Sequence, residues 1–369
     1  MDSQEKFEIK SAEIKQKLEE LNVEINTIFG SDVINKIRTP EIKRKFKKFA
    51  ETEIVKFDAE IKQTIKILDS PIYVGLLGRY SHGKTALVNA LFDINDDFRL
   101  PEDKGIVTSR VTHVEFNDDI TAPICFECLI DGTKNSIDIS ALKLCVSGKS
   151  KQDDSSINYY EMKMPANRPF AKTFAKRQIN LIDMPGIGGL YFQDNSTTHD
   201  YIKNLDLLLV VINLFDIENG GAAIKRFIDG VDTPIVPVLT FFDEWKSEKD
   251  NKYNTCKEDE EVINMARESL KEAVPSLSRH LIDLIAVSST KNIRIDDLRT
   301  IILNKIVQRE IAMQKLKKET PQIYKRKINE ISRSLHKLIT QADASLNKLE
   351  KDIVPMLPET GSFVSFRKH

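Results

Sequence analysis

The chain has 369 residues, of which 41% are hydrophobic, so it is long and apolar enough to fold into about two units around a buried core. A formal net charge of −1 excludes a chain built as a whole to be a polycation for nucleic acid. No segment has the roughly 20 continuous apolar residues of a transmembrane helix, and the acidic start MDSQEKFEIK does not resemble a secretory signal.

Residues 1–69 are predicted to form an N-terminal helical segment. Apolar residues such as Phe7, Ile14 and Leu18 recur at helical spacing, and charged residues fill the other faces. Gly30 and Pro40 interrupt the pattern, which predicts at least two helices.

From residue 70 to residue 300, short apolar runs alternate with helical patterns. The predicted strands are IYVGLLG, VTHVEF, APICFECLI, QINLIDM, DLLLVVINL, TPIVPVLTF and LIDLIAVS. Strands that alternate with helices predict an α/β domain with a mostly parallel sheet covered on both faces.

Residues 301–369 are predicted to be helical again. Ile328, Ile331, Leu335 and Leu338 begin an apolar stripe at helical spacing, which needs a partner helix. We therefore expect these helices to pack with the N-terminal ones into one bundle, or neck. This region carries 14 Lys and Arg against 7 Asp and Glu. Such a surplus suits acidic lipid, RNA or an acidic partner, and equally a solvated helix face.

A complete G-x-x-x-x-G-K-[ST] motif follows the first predicted strand and precedes a predicted helix, which is the context that the motif requires. It consists of Gly78, Arg79, Tyr80, Ser81, His82, Gly83, Lys84 and Thr85. Backbone N–H groups of such a loop bind phosphate oxygens. We expect Lys84 to reach the β- and γ-phosphates and Thr85 to be a Mg²⁺ ligand. His82 is predicted to be an exposed spacer beside the phosphates.

Three later segments complete a guanine-nucleotide site. Asp183 ends a buried strand and is predicted to hold Mg²⁺ through water, while the Gly186 N–H contacts the γ-phosphate. Asp243, in the segment that begins at Thr240, is expected to accept hydrogen bonds from guanine that adenine cannot donate. The Ser288 and Ser289 loop is expected to contact guanine through its backbone. Phe241 stands where GTPases usually have Lys, and its ring could lie against the base.

A mobile threonine is expected between the first helix and the second strand, where it binds Mg²⁺ in the GTP state and positions the attacking water. Thr108, in the segment GIVT, is the preferred candidate and Thr112 is the competitor.

These residues resemble the dynamin-like large GTPases, particularly the bacterial members. The resemblance depends on Ser81, two residues before Gly83, and on the segment LPEDKGIVTSR, and it covers roughly residues 70–300. It implies a P-loop GTPase domain with a mostly parallel sheet, flanked by a helical bundle made from both chain ends. It also implies catalysis that involves Ser81, Lys84, Thr108 and Gly186. Ser81 would contact the β–γ bridging region and help to hold a monovalent cation.

The resemblance further implies that two chains pair through their nucleotide faces, which speeds GTP hydrolysis, and that the protein binds membrane lipid and further dynamin-like subunits. Tyr80 departs from the family, since dynamins place Gln there, and this puts positioning by that residue in doubt. Lys104 or Arg79 could replace the monovalent cation, or could be solvated loop charges.

Two other functions remain open, namely a monomeric switch activated by a separate partner and an RNA-associated GTPase. No RNA-binding module stands out, so nucleic acid is not the expected partner.

The expected location is the cytoplasm, with peripheral attachment to the inner face of a membrane. Cys125 and Cys128 form one C-x-x-C pair without a second pair or a nearby His, so we expect free thiols rather than zinc ligands.

Overall fold

The structure is a computed structural model. It describes residues 40–49, 71–94, 98–100, 110–146, 156–188, 201–246, 252–253 and 255–313, with isolated helical positions between 16 and 62 and between 315 and 347. The chain divides into two compact units. One is Pro71–Glu310, and the other combines Met1–Ser70 with Ile311–His369.

A nine-stranded sheet forms the centre of the unit Pro71–Glu310. Its strands are β1 (Ile72–Gly78), β2 (Thr112–Asn117), β3 (Ile124–Leu129), β4 (Lys134–Ile137), β5 (Ile157–Pro165), β6 (Ile179–Asp183), β7 (Leu207–Asn213), β8 (Ile235–Thr240) and β9 (Ile285–Ala286). They lie in the order β4-β3-β5-β2-β6-β1-β7-β8-β9. Five neighbouring pairs are parallel, and the pairs β2–β6, β3–β4 and β3–β5 are antiparallel. The predicted α/β fold with a mostly parallel sheet is therefore confirmed.

Helices cover both faces of this sheet. In chain order they are α2 (Lys84–Leu91), α3 (Ile139–Val146), α4 (Pro169–Lys176), α5 (Ile217–Ile228), α6 (Asp259–Ala273) and α7, which spans residues 295–313. Helices α2, α4 and α7 pack on one face, and α5 and α6 pack on the other. Alternate residues of β7 pack against the hydrophobic clusters on the two faces of the sheet. The strand therefore has to be apolar on both sides, as LLLVVIN is.

The structure adds two strands that the sequence patterns did not predict. In β5, Tyr160, Met162 and Met164 are buried, whereas Glu161 and Lys163 lie on the opposite, partly exposed face. This alternation interrupts the continuous apolar run that marks the central strands. Strand β4 lies at the sheet edge and is largely exposed, so it has no apolar run.

The last predicted strand, LIDLIAVS, is also shorter than expected. Residues Pro275–Asp283 form a 3-10 helix, and only Ile285–Ala286 pair with β8. Two residues are nevertheless enough to place the following loop beside the end of β8.

The unit made from both chain ends contains helix α1 (Pro40–Phe49). Ion pairs join Lys45 to Glu41 at 3.0 Å and Lys47 to Glu51 at 3.9 Å along this helical segment. Most other residues of this unit lie outside the described part, so the predicted bundle stays a prediction. Within the described residues, no helix combines the length and apolar character needed to span a membrane.

Candidate functional site

The residues predicted to bind a nucleotide lie along one edge of the sheet. Gly78, Asp183 and Thr240 end the parallel strands β1, β6 and β8, and Ser288 follows β9. Parallel strands bring their carboxyl ends to the same edge, where ligands bind in open α/β sheets. The fold thus brings together segments that are far apart in the sequence.

The phosphate-binding loop connects β1 to α2. Gly83 precedes the helix with φ +79°, a left-handed conformation that glycine adopts without strain. Lys84 is buried, and its Nζ donates hydrogen bonds to the carbonyl oxygens of Gly78 at 3.1 Å and Arg79 at 3.3 Å. The ammonium group therefore lies within the curve of the loop.

The segment after β6 is hydrogen-bonded to this loop. The Tyr80 N–H donates to the Ile187 carbonyl at 3.1 Å, and the Ile187 N–H donates to the Gly78 carbonyl at 3.1 Å. A Cβ atom at Gly186 would lie 2.9 Å from Tyr80 Cα and 3.2 Å from Lys84 Nζ. Only glycine lets these two backbones approach so closely, so Gly186 lies beside the P-loop lysine, and its contact with the γ-phosphate stays a prediction.

Lys84 and Asp183 form a buried pair of opposite charges. Burial lowers the pKa of Lys84 to about 8, against the attraction of Asp183. Burial likewise raises the pKa of Asp183 to about 6, against the attraction of Lys84. Asp183 Oδ1 is buried without a hydrogen-bond partner. Such charges are costly in a folded protein and are typical of a functional site.

The predicted base site lies beside the P-loop. Asp243 is half-buried, and the Thr290 hydroxyl approaches its Oδ2 at 3.5 Å. Phe241 has φ +62°, and its ring edge would lie 3.5 Å from a Cβ atom at Gly83. The residue that replaces the usual lysine therefore packs against the P-loop. Ser288 is buried, and its Oγ accepts a hydrogen bond from the Lys291 N–H at 3.1 Å.

Thr240 supports the P-loop rather than facing solvent. Its buried hydroxyl donates a hydrogen bond to the His82 carbonyl at 2.8 Å. The Ile212 carbonyl oxygen lies 3.3 Å from the same hydroxyl and is a second acceptor for it. The end of β8 is thereby tied to the loop that follows β1.

The position of His82 differs from the sequence expectation. It was expected to be exposed beside the phosphates, but only 3% of the residue is accessible. Its ring packs on Gly220 of α5, where a Cβ atom would come within 2.5 Å of His82 Cε1. Burial lowers the pKa of His82, against the opposing effect of Asp216.

Asp216 is the site residue that motif analysis missed. Its Oδ2 accepts hydrogen bonds from Arg79 Nη1 at 2.8 Å and His82 Nε2 at 3.0 Å, and its Oδ1 accepts one from Asn219 at 2.9 Å. It belongs to no nucleotide motif. However, it follows the buried strand β7, and an acidic residue at the end of a buried strand is the signal that indicated Asp183.

Ser81, Thr85 and Ser289 occupy the expected loops. Ser81 is exposed with φ +60°, Thr85 is half-buried in the first turn of α2, and Ser289 follows Ser288. Thr108 and Lys104 lie outside the described residues, so their roles stay predictions.

The cysteines with described side chains are Cys125, Cys128 and Cys256. Cys125 and Cys128 are buried, Cys256 is partly exposed, and none is in a disulfide. Burial raises the pKa of the Cys125 thiol to about 11.

Comparisons with known proteins place this site in a family context. Residues 74–219 match the model of the dynamin family. An uncharacterized protein in the xynA 3′ region of Caldicellulosiruptor sp. (strain Rt8B.4) is 25% identical over 162 residues, which are 44% of this chain and 37% of that protein.

Two similar solved chains come from work on an oligomerised bacterial dynamin pair and its mechanism for long-range sensing and tethering of membranes. They are 17% and 16% identical, with TM-scores of 0.46 and 0.48, and the matches cover 80% and 94% of this chain. The chain spans 47% and 60% of the length of those two chains.

Proposed function

We propose that this chain is a dynamin-like GTPase, which binds GTP together with Mg²⁺ and releases GDP and phosphate, because residues 74–219 match the model of the dynamin family. Pairing of two chains through their nucleotide faces accelerates hydrolysis, and the cycle is coupled to a membrane surface.

The observation that carries this proposal is the buried pair of Lys84 and Asp183 beside the P-loop. A bound nucleotide phosphate would place a second negative charge next to the Lys84 ammonium. A hydrated cation would place a second positive charge next to the Asp183 carboxylate. Both groups would then be compensated without leaving the interior. The close approach of Gly186 to Lys84 provides a backbone N–H next to the same position.

The residues present also fit Mg²⁺. The unpartnered Oδ1 of Asp183 is an oxygen acceptor of the kind that this cation and its bound waters require. The Thr85 hydroxyl and, in the GTP state, Thr108 would be direct ligands. When bound, the cation neutralises charge on the β- and γ-phosphate oxygens.

In the proposed mechanism, backbone N–H groups of residues 79–85 bind the phosphates and Lys84 contacts the β- and γ-phosphates. Asp243 selects guanine, with Thr240, Ser288 and Ser289 shaping the base site. Thr108 and the Gly186 N–H position the attacking water and the γ-phosphate.

Pairing through the nucleotide face is supported by exposed polar groups around the site. Ser81 is exposed, and 42% of the Arg79 side chain is accessible. We propose that Ser81, with a monovalent cation or a basic side chain, completes the charge compensation when two such faces meet.

Membrane coupling is supported by helix α1, whose sequence is PEIKRKFKKF. The basic residues of this helix outnumber its one acidic residue, Glu41, and all of these side chains are exposed or half-buried. The basic residues are Lys43, Arg44, Lys45, Lys47 and Lys48. Such a helix is attracted to anionic headgroups.

We propose peripheral attachment at the cytoplasmic face of a membrane, with the helices of both chain ends packed as one bundle. The grouping of the two ends in one compact unit supports that bundle.

The decisive experiment measures GTP turnover per molecule as protein concentration rises, in magnesium buffer. Turnover that climbs with concentration supports pairing, and a further rise with anionic vesicles supports membrane coupling. Slow turnover that is independent of concentration favours a switch that needs a separate activator, and stimulation by RNA favours an RNA-associated GTPase. Lys84→Ala is the control, because loss of the phosphate-binding ammonium should abolish turnover in every condition.

A further inference from the structure

Asp216 lies where β7 ends and α5 begins, on the nucleotide edge of the sheet. One of its carboxylate oxygens accepts hydrogen bonds from two P-loop side chains, Arg79 and His82. Only 25% of the Asp216 side chain is accessible, so these charge-assisted bonds are partly shielded from water.

The Asp216 carboxylate bonds to P-loop side chains and to the Asn219 side chain, and not to a backbone N–H of its own helix. Asp216 is the residue before the first turn of α5, where an Asp commonly accepts a hydrogen bond from a backbone N–H of that turn. Here its side chain makes no such bond. It bonds instead to Arg79, His82 and Asn219. Asp216 therefore contacts P-loop side chains in place of the backbone N–H that a helix-capping Asp usually binds.

Arg79 extends this connection to the segment after β6. Its Nε would lie 3.9 Å from a Cβ atom at Gly188, two residues beyond Gly186. Arg79 and Ile187 also form a parallel β-bridge. A single carboxylate thus orients the guanidinium that lies between the P-loop and the segment predicted to contact the γ-phosphate.

We propose that Asp216 is a positioning residue for GTP hydrolysis, which acts by holding Arg79 and His82 and, through them, the P-loop and the start of the segment after β6. This inference rests on the proposed function. Within the P-loop, the Asp216 carboxylate bonds to the side chains of Arg79 and His82, and not to the backbone N–H groups or the Lys84 ammonium that are proposed to bind phosphate. Its removal should therefore lower kcat more than it raises KM for GTP.

The test compares Asp216→Ala with a matched variant, Asp206→Ala, both in the 369-residue chain. Asp206 precedes β7 at the opposite edge of the sheet, and it bonds to Arg309 Nε at 2.6 Å and to the Tyr73 N–H at 2.9 Å. Both variants remove a partly buried aspartate paired with arginine. We expect Asp216→Ala to lower kcat about tenfold, with KM within about threefold. Asp206→Ala should leave kcat unchanged even where it lowers stability.

A double-mutant cycle separates a shared role from two independent effects. If Asp216 acts through Arg79, Arg79→Ala combined with Asp216→Ala should lose no more kcat than the larger single loss. Losses that multiply would overturn the proposal, as would equal kcat values for the Asp216 and Asp206 variants. Asp216→Asn keeps the shape of the side chain, and it replaces the alanine variant if that one does not fold.

A nucleotide-independent measurement distinguishes this proposal from the proposed function. If the wild-type chain does not hydrolyse GTP, the proposed function fails. Hydrogen exchange at the amides of residues 79–83 in nucleotide-free protein still tests the positioning role. Faster exchange in Asp216→Ala than in Asp206→Ala supports it, and equal exchange refutes it.

Discussion

The substitution Gly220→Ala tests the packing of α5 against the P-loop. Gly220 lies within α5, where alanine would normally stabilise the helix by about 0.5–1 kcal/mol. Here the added Cβ would lie 2.5 Å from His82 Cε1, so the ring would have to retreat by about 0.9 Å to reach ordinary contact at 3.4 Å. The buried ring is held by Asp216 at Nε2, and its backbone carbonyl is held by Thr240.

Forcing extra volume into a packed site costs roughly 1–3 kcal/mol, which exceeds the gain in helix propensity. We therefore expect Gly220→Ala to lower the free energy of unfolding by about 1 kcal/mol and to weaken GDP binding by displacing His82. Urea denaturation of the full chain measures the stability, and titration with a fluorescent GDP analogue measures the affinity.

The combination Gly220→Ala with His82→Ala supplies the control. The methyl group can then occupy space that the imidazole has left, so the double variant should be more stable than the sum of the two single losses predicts. Stabilisation by Gly220→Ala alone, with unchanged affinity for GDP, would refute this reasoning.

Two further predictions concern the base site and the buried charge pair. Asp243→Asn should remove the preference for GTP over ATP in competition binding, because this carboxylate is the group proposed to accept the hydrogen bonds from guanine; a retained preference would contradict that assignment. The pKa of Asp183 is raised from 3.8 to about 6, so its contribution to stability is present at low pH and is lost as pH rises through about 6. The pKa of Lys84 is lowered from 10.5 to about 8, so its contribution is present at high pH and is lost as pH falls through about 8. Urea midpoints of nucleotide-free protein should therefore show a local minimum in stability between pH 6 and pH 8. In Asp183→Asn the fall on the acidic side should disappear, and an unchanged profile would contradict the assignment.

The P-loop could be predicted from sequence because its chemistry is local. Eight consecutive residues carry the glycines, the lysine and the threonine that a phosphate loop needs, and an apolar strand and a helix flank them. Asp183 and Asp243 became candidates for a related reason, since Asp183 ends one buried strand, Asp243 lies just after another, and parallel strands end at one edge.

Strands β4 and β5 could not be predicted in this way. The polar face of β5 and the exposed edge position of β4 leave no apolar run, and pairing partners far along the chain decide their conformation. Strand pairing depends on neighbouring strands more than on intrinsic preference.

By itself, the sequence determined the α/β layout, the nucleotide motifs and the family resemblance, because these depend on residue types at fixed local spacing. Only the tertiary structure decided that His82 is buried, that Thr240 supports the P-loop and that Asp216 contacts two P-loop side chains. Asp216 is 134 residues from His82 and 137 from Arg79. Contacts across such separations arise from the order of strands in the sheet, so no local pattern encodes them.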